Sequence, residues 1–365
     1  MPASAGSSSI IFLIPSYAFI LTYLNLFIHM KSIFQLITLL CLSVMASMLE
    51  SCSTKNEKIV LAYVTSHGAT LPDPDLVTHI NYAFAHVDST FSKLKIDNEG
   101  RLSEITALKQ KAPHLKVLLS VGGWESGRFS EMAANEQYRL SFAYDCRRAI
   151  EQFHLDGIDI DWEYPTSSAA GISSSPDDTQ NYTLLMRDLR KAIGPDKLLT
   201  LASVYNGNYI DFKAIDPYID FVNVMVYDIN RPPYHHAALY RSPLVGDGCG
   251  EEAVEAHIQK GVPVEKLVLG IPFYGHAAAP LSDFISYDAI MAQQDYKTCW
   301  DSIAKVPYLA DKDGKLVCSY ENPSSITAKC AFVKQKGLKG IMYWEYNSDG
   351  KEGSLRKAAY EGMQE

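Results

Sequence analysis

The sequence predicts an α/β fold, a closed (β/α)8 TIM barrel, on three observations. From Ile59 onward, short apolar runs of strand length alternate with amphipathic stretches of helix length, the order that builds a parallel sheet with helices outside it. The strand-like runs number eight and spread over roughly 300 residues, enough for a barrel of about 250 residues plus loop insertions. Several of the intervening helices stop at a glycine, as C-caps do: Gly194, Gly261 and Gly337.

The expected strands are 59–64, 80–87, 117–121, 157–162, 199–204, 221–227, 267–272 and 340–344, with helices over 102–111, 136–153, 179–192, 251–260 and 326–336. Two loops carry the extra length. The first, 166–178, is rich in Ser, Ala, Gly and Pro and follows the fourth strand, where barrels of this type build their active-site rim. The second lies between Gly275 and Val317, where 283–304 is expected to add at most a small insertion before the last helix.

The chain has 365 residues, 47% hydrophobic and 21% charged, and a formal charge of -9. With no long Lys/Arg run, it lacks the cationic contacts that a nucleic-acid polyanion demands, so no nucleic-acid partner is expected. Upstream of the barrel, 10–28 is strongly apolar and a second apolar stretch, 33–49, follows within a few residues. A membrane span is the plain reading. Met30-Lys31, an apolar run and then Leu49-Glu50-Ser51-Cys52 have instead the layout of a signal peptide, resembling that of a bacterial lipoprotein with Cys52 as the lipidated residue.

Residues 1–29 are therefore expected to be upstream sequence, 30–52 the signal, 53–58 a short linker and 59–365 the barrel. The domain is expected to be exported, to the bacterial cell envelope (periplasm or outer membrane) or to the medium, and to be monomeric. It would touch a membrane only through its anchor or signal. The five later cysteines, Cys146, Cys249, Cys299, Cys318 and Cys330, form no C-x-x-C or Cys/His group of zinc type. No metal site or cofactor is expected, and their pairing stays open.

The chemistry concentrates in Asp156-Gly157-Ile158-Asp159-Ile160-Asp161-Trp162-Glu163-Tyr164-Pro165. Alternate residues of a strand share one face, so Asp159, Asp161 and Glu163 rise together toward the barrel mouth. Three carboxyl groups in a confined space cannot all ionise cheaply, and burial raises their pKa further. A carboxyl kept protonated near neutral pH is what general acid catalysis needs. Glu163, nearest the mouth, is the candidate proton donor and Asp161 the neighbour that tunes it. A solvated surface strand would need Ile158, Ile160 and Trp162 to go unpacked, and calcium prefers a flexible oxygen-rich loop.

This stretch resembles the D-x-x-D-x-D-x-E signature of glycoside hydrolase family eighteen, which in chitinases usually continues with Y-P. Ser120-Val121-Gly122-Gly123-Trp124 at the end of the third strand resembles that family's S-x-G-G motif; by itself the Gly-Gly pair could be mere turn chemistry. The resemblance makes Ser120 a support for Asp159, with Asp156, Gly122 and Gly123 around the same site. It implies that Tyr227 and Asp228, at the end of Asn223-Val224-Met225-Val226-Tyr227-Asp228, hold a substrate N-acetyl group, with Met225 on the same face. It also implies that Trp344 forms a floor under the cleaved sugar. The alternative for Tyr227 is a core residue bonded to a carbonyl. Tyr63, Phe84, Trp124, Tyr205 and Tyr274 lie near strand ends, where cleft lining and core packing are equally open to each.

What the resemblance implies chemically is a substrate-assisted mechanism, a recorded exception among glycosidases. Glu163 protonates the glycosidic oxygen, the 2-acetamido oxygen attacks the anomeric carbon, and an oxazolinium intermediate is hydrolysed with retention. Asp161 orients the acetamide N–H and Tyr227 bonds its oxygen. The implied partners are chitin, chitooligosaccharides or another N-acetylglucosamine-containing glycan. An endo-β-N-acetylglucosaminidase acting on N-glycans is the nearest rival, although Trp162 to Pro165 and Asn181 to Leu185 resemble chitinases more. A non-catalytic lectin-like barrel is the rival of another class, and such lectins usually lack the acid that Glu163 supplies. A short insertion after Gly275 implies a shallow, endo-acting cleft.

Overall fold

The computed structural model describes residues 58–364 and, ahead of them, a few helical positions between 26 and 38. Cys52 lies outside the described residues, as do the linker over 53–57 and most of the segment assigned to signal and upstream sequence.

Eight parallel strands close into the expected barrel. They are β1 (Ile59–Thr65), β2 (His79–Val87), β4 (Lys116–Gly122), β5 (Gly157–Asp161), β6 (Leu198–Val204), β7 (Phe221–Met225), β8 (Leu267–Pro272) and β14 (Gly340–Trp344). The order runs β1-β14-β8-β7-β6-β5-β4-β2, and pairing of β1 with β2 completes the ring. A short β3 (Leu94–Ile96) adds to β2 in antiparallel fashion.

Helices pack around the outside: α1 (Glu99–Ala107), α2 (Phe129–Ala134), α3 (Glu136–Phe153), α4 (Asp178–Ile193), α5 (Phe212–Ile215) and α6 (Gly250–Gln259). After a short α7 (Tyr287–Met291) come α8 (Pro323–Lys336) and α9 (Ser354–Gln364). Local chemistry sets their ends. Asn135 accepts the Tyr138 N–H at the start of α3, Asn322 and Ser325 form a reciprocal capping box on α8, and Gly337 ends α8 at φ 77°, a conformation that glycine adopts without steric cost.

Alternation along each strand sorts side chains into two cores. Ile158, Ile160 and Trp162 point outward and are buried among the helices. Phe129 stacks on Trp162 with centroids 5.3 Å apart. Each such side chain contributes about 1.5–3 kcal/mol of burial, which fixes the strand's register and with it the direction of the acids on the other face. A smaller inner core of Leu61, Tyr63, Phe221, Met225, Val268 and Met342 fills the barrel.

The insertion is larger than expected and made mainly of strands. Between β8 and α8 lie β9 (Tyr274–Ala277), β10 (Phe284–Ser286), β11 (Lys297–Asp301), β12 (Val306–Ala310) and β13 (Leu316–Ser319), an antiparallel sheet in the order β10-β9-β13-β12-β11. It begins as β8 ends, so its first strand carries Tyr274 and His276 past the barrel mouth.

Candidate active site

The cleft is built around β5. Asp159 lies at the bottom, fully buried, where Ser120 and Tyr63 donate hydroxyl hydrogen bonds to one carboxylate oxygen at 2.8 and 2.9 Å. Thr200 at 2.6 Å and the Asn223 amide at 3.1 Å donate to the other. The register explains the set, since Ser120, Asp159 and Thr200 are direct partners across β4, β5 and β6. Burial pushes the Asp159 pKa up and the four donors pull against it. The net direction is upward, and the four donors fill the acceptor positions of the carboxyl and fix it in place.

One layer up, Asp161 is 5% exposed, and its Oδ1 is buried with no donor. Burial raises its pKa well above the usual carboxylate range, and the charges of Glu163 and Asp159 push it further. Glu163, half-buried at the mouth, is raised from 4.5 to about 7, chiefly by burial; a Tyr164 hydrogen bond opposes the shift and the Asp228 charge adds to it. Burial thus raises all three carboxyl groups of the ladder, the outermost to about 7, as an acid catalyst near neutral pH requires.

The glycines of β4 permit this geometry. A Cβ on Gly122 would lie 1.9 Å from the Asp161 carbonyl oxygen, and its φ of 130° is closed to other residues. A Cβ on Gly123 would meet the Phe84 ring at 2.7 Å, and the Gly123 N–H donates to the Asp161 carbonyl at 2.9 Å. The pair lets the strand carrying the acids lie directly against its neighbour.

Tyr63, Phe84, Trp124, Asp161, Glu163, Tyr164, Ala202, Met225, Tyr227, Asp228, Arg231, Phe284 and Trp344 line a cavity of about 620 Å³, a volume suited to a sugar-sized ligand. Trp344 stacks on Phe84 with centroids 5.5 Å apart and meets Tyr63 at 5.7 Å. Trp124 is 55% exposed and stands edge-on to Tyr164. Among the described residues, the Tyr227 hydroxyl has one hydrogen-bond contact, the Met342 sulfur at 3.8 Å, a weak one that leaves it available to a ligand.

Asp228 is held at the rim. Burial works against its charge, but the neighbouring polar groups of His236, His276 and Tyr274 prevail and keep its pKa well below the usual carboxylate range. Tyr274, expected among the cleft aromatics, is instead buried, donates to Asp228 at 2.5 Å and is covered by Phe284. Asp156 sits at the opposite end of β5, roughly 16 Å along the strand from Asp161 at about 3.3 Å per residue. There it accepts from Lys109 at 2.6 Å and the Val117 N–H at 2.8 Å, which anchors the base of the barrel and leaves it no part in the cleft.

Tyr164, Arg231 and Phe284 join the cleft, and Thr200 and Asn223 its floor, without having been singled out in the sequence. Thr200 and Asn223 had a signal, as polar residues on inward-facing positions of apolar strands. Arg231 and Phe284 had none, because loop and insertion bring them in.

A closed barrel with a carboxyl ladder and an aromatic cleft at the C-terminal ends of its strands is the build of a glycoside hydrolase. The family model for glycosyl hydrolases family 18 matches residues 58–349, and the chain belongs to that family. It is 32% identical to Chitinase A1 of Niallia circulans over 81% of this chain and 48% of that protein. It is 32% identical to Chitotriosidase-1 of Mus musculus over 78% of this chain and 69% of that one. The structure of a family 18 N-acetylglucosaminidase from Paenibacillus barengoltzii superposes with a TM-score of 0.77 at 34% identity, covering 84% of this chain and 99% of that one. The chain thus spans about half the length of the first of these relatives.

Proposed function

We propose that this chain hydrolyses β-1,4-linked N-acetylglucosamine polymers, chitin and its oligosaccharides, with retention of configuration and with the substrate's acetamide as nucleophile. The observation that carries the reading is the undonated, buried Oδ1 of Asp161 beside an acid poised near pH 7. A buried acceptor without a donor costs about 1–3 kcal/mol, which an acetamide N–H would recover on binding. The Tyr227 hydroxyl then bonds the acetamide oxygen and aligns it with the anomeric carbon, while Glu163 protonates the leaving oxygen and later takes a proton from water. Trp344 offers an apolar face to the sugar's C–H surface. That chitinases and an N-acetylglucosaminidase are among the similar proteins supports the substrate class.

The test is product formation from N-acetylchitohexaose, with Glu163→Gln and a biantennary N-glycopeptide in parallel. The reading expects β-anomeric chitooligosaccharides from the wild type and none from the variant. Release from the glycopeptide alone would move the assignment to N-glycan processing, and oligosaccharide bound without cleavage would make the chain a lectin.

We further infer export and lipidation at Cys52, on the strength of the two apolar stretches and the Leu49-Glu50-Ser51-Cys52 sequence. Radiolabelled palmitate should be incorporated by the wild type and lost in Cys52→Ser.

A further inference from the structure

We propose that Asp228, His236 and His276 form a binding site for a divalent transition ion of the zinc class, and that occupation of this site blocks the cleft. Asp228 follows β7, His236 lies in the long loop beyond it, and His276 is on β9. One ligand atom from each lies within 4.8 Å of the others. Two imidazoles and a carboxylate are a donor set that suits zinc, with room for a further ligand.

The contacts around His276 set it between two carboxylates. Its Nε2 is 2.7 Å from Asp228 Oδ1 and its Nδ1 is 2.7 Å from Asp283 Oδ1. A neutral imidazole carries one N–H, so only one of these carboxylates can receive a proton from it. In that form the other carboxylate faces the ring's lone pair. With Nδ1–H donated to Asp283, Nε2 and Asp228 both present lone pairs toward the same point. This is the carboxylate–histidine–metal arrangement in which an outer carboxylate fixes the tautomer of the ligand. Arg231, 3.4 Å from Asp283, orients that outer carboxylate.

His236 supplies the independent observation. It is fully buried, its Nδ1 lies 3.7 Å from Asp228 Oδ1, and its Nε2 has no hydrogen-bond partner. Among the described residues, its Nδ1 meets just one donor, the Asp228 N–H, at a long 3.5 Å. The ring stands perpendicular to His276 with centroids 4.8 Å apart. Bonds of about 2.0–2.1 Å to zinc place tetrahedral donors roughly 3.3 Å apart; the Asp228 oxygen, 2.7 Å from His276 and 3.7 Å from His236, is already close to that spacing, and small ring rotations bring the two imidazoles to it. Asp228 is also the entry path, because it lines the cleft. An ion there draws it away from Tyr274 and from any sugar.

Neither histidine spacing nor cysteine pattern reveals this group in the sequence, since its members are 8 and 40 residues apart.

The experiment is titration of the chelator-treated full-length chain with CoCl2, followed by visible absorption, then competition with ZnCl2. One Co2+ per chain with the intense absorption of a tetrahedral ion, displaced by Zn2+, is expected. His236→Gln and His276→Gln should each weaken binding at least about 10-fold, and Asp283→Asn, a surface change, by about 10–100-fold. His235→Gln, at the neighbouring histidine outside the group, should leave binding intact. Absorption is read independently of hydrolysis, so a wrong assignment of substrate would not disturb it. A wild type that shows only the weak spectrum of hydrated Co2+ overturns the proposal. Binding that survives in both His236→Gln and His276→Gln overturns it as well.

Discussion

Replacing Glu163 with glutamine removes the candidate proton donor and also removes a charge that the folded state resists. The pKa of Glu163 is about 7 in the folded protein against 4.5 for the free side chain. Since the folded value is the higher one, folded protein binds this proton more tightly, and stability is lost as pH rises through that window. Below it both states are protonated and the carboxyl has no effect. Near pH 7 the unfolded carboxyl is ionised while the folded one is half protonated, a difference of about 3 kcal/mol at about 1.4 kcal/mol per unit. Partial solvent access at the mouth reduces this to about 2 kcal/mol. A neutral glutamine of the same shape escapes the penalty. Glu163→Gln should therefore melt about 4–8 °C higher than wild type near pH 7, match it near pH 4, and have lost activity by about 100-fold or more. Thermal unfolding at the two pH values, with hydrolysis rates beside it, makes the test. An equal gain at both pH values, or a loss near pH 7, would refute the reasoning, because the carboxyl would then not be held protonated by the fold.

The same carboxyl should set the basic limb of the pH dependence of kcat/KM, which we expect to fall about tenfold per unit above roughly pH 7; Tyr164→Phe, which removes a hydrogen bond to the charged form, should move that limb upward. Tyr227→Phe should lower kcat about 100-fold with little change in urea unfolding, since its hydroxyl makes just a weak contact with the Met342 sulfur among the described residues. Thr200→Val removes one of the four donors to Asp159 and should cost about 1–3 kcal/mol in urea unfolding. Gly122→Ala forces a Cβ to 1.9 Å from the Asp161 carbonyl oxygen; strain and overpacking together should cost about 3 kcal/mol or more, read as a loss of folded yield.

The barrel was legible in the sequence because its strands are buried on both faces and read as short apolar runs, and because glycines punctuate the helices between them. All eight runs are strands, with ends that move by a residue or two. The ladder was legible for the opposite reason: acids on alternate positions of an apolar strand have no ordinary explanation. The inserted sheet was not, since strands such as Phe284–Ser286 are three residues long and half exposed, with no periodicity to detect. Asp156 belongs to the motif as spelled, yet it faces the other end of the barrel, a distinction that depends on counting along the strand. Tyr274 kept its position near the site but changed its work, because Phe284 covers it and turns its hydroxyl to Asp228.

The ring of strands closes at one place, where β14 slides between β1 and β8. Until that strand has been synthesised, β1 and β8 are bare edges with unpaired backbone groups, open to pairing with another chain. The acid ladder is complete long before then, but the Trp344 ring arrives only with the closing strand. A ribosome-bound chain therefore carries all its acids without a cleft to hold a sugar, and a proteolytic cut that frees β14 would take the activity and the seal of the barrel together. Catalytic competence and solubility are in this way tied to a single late event.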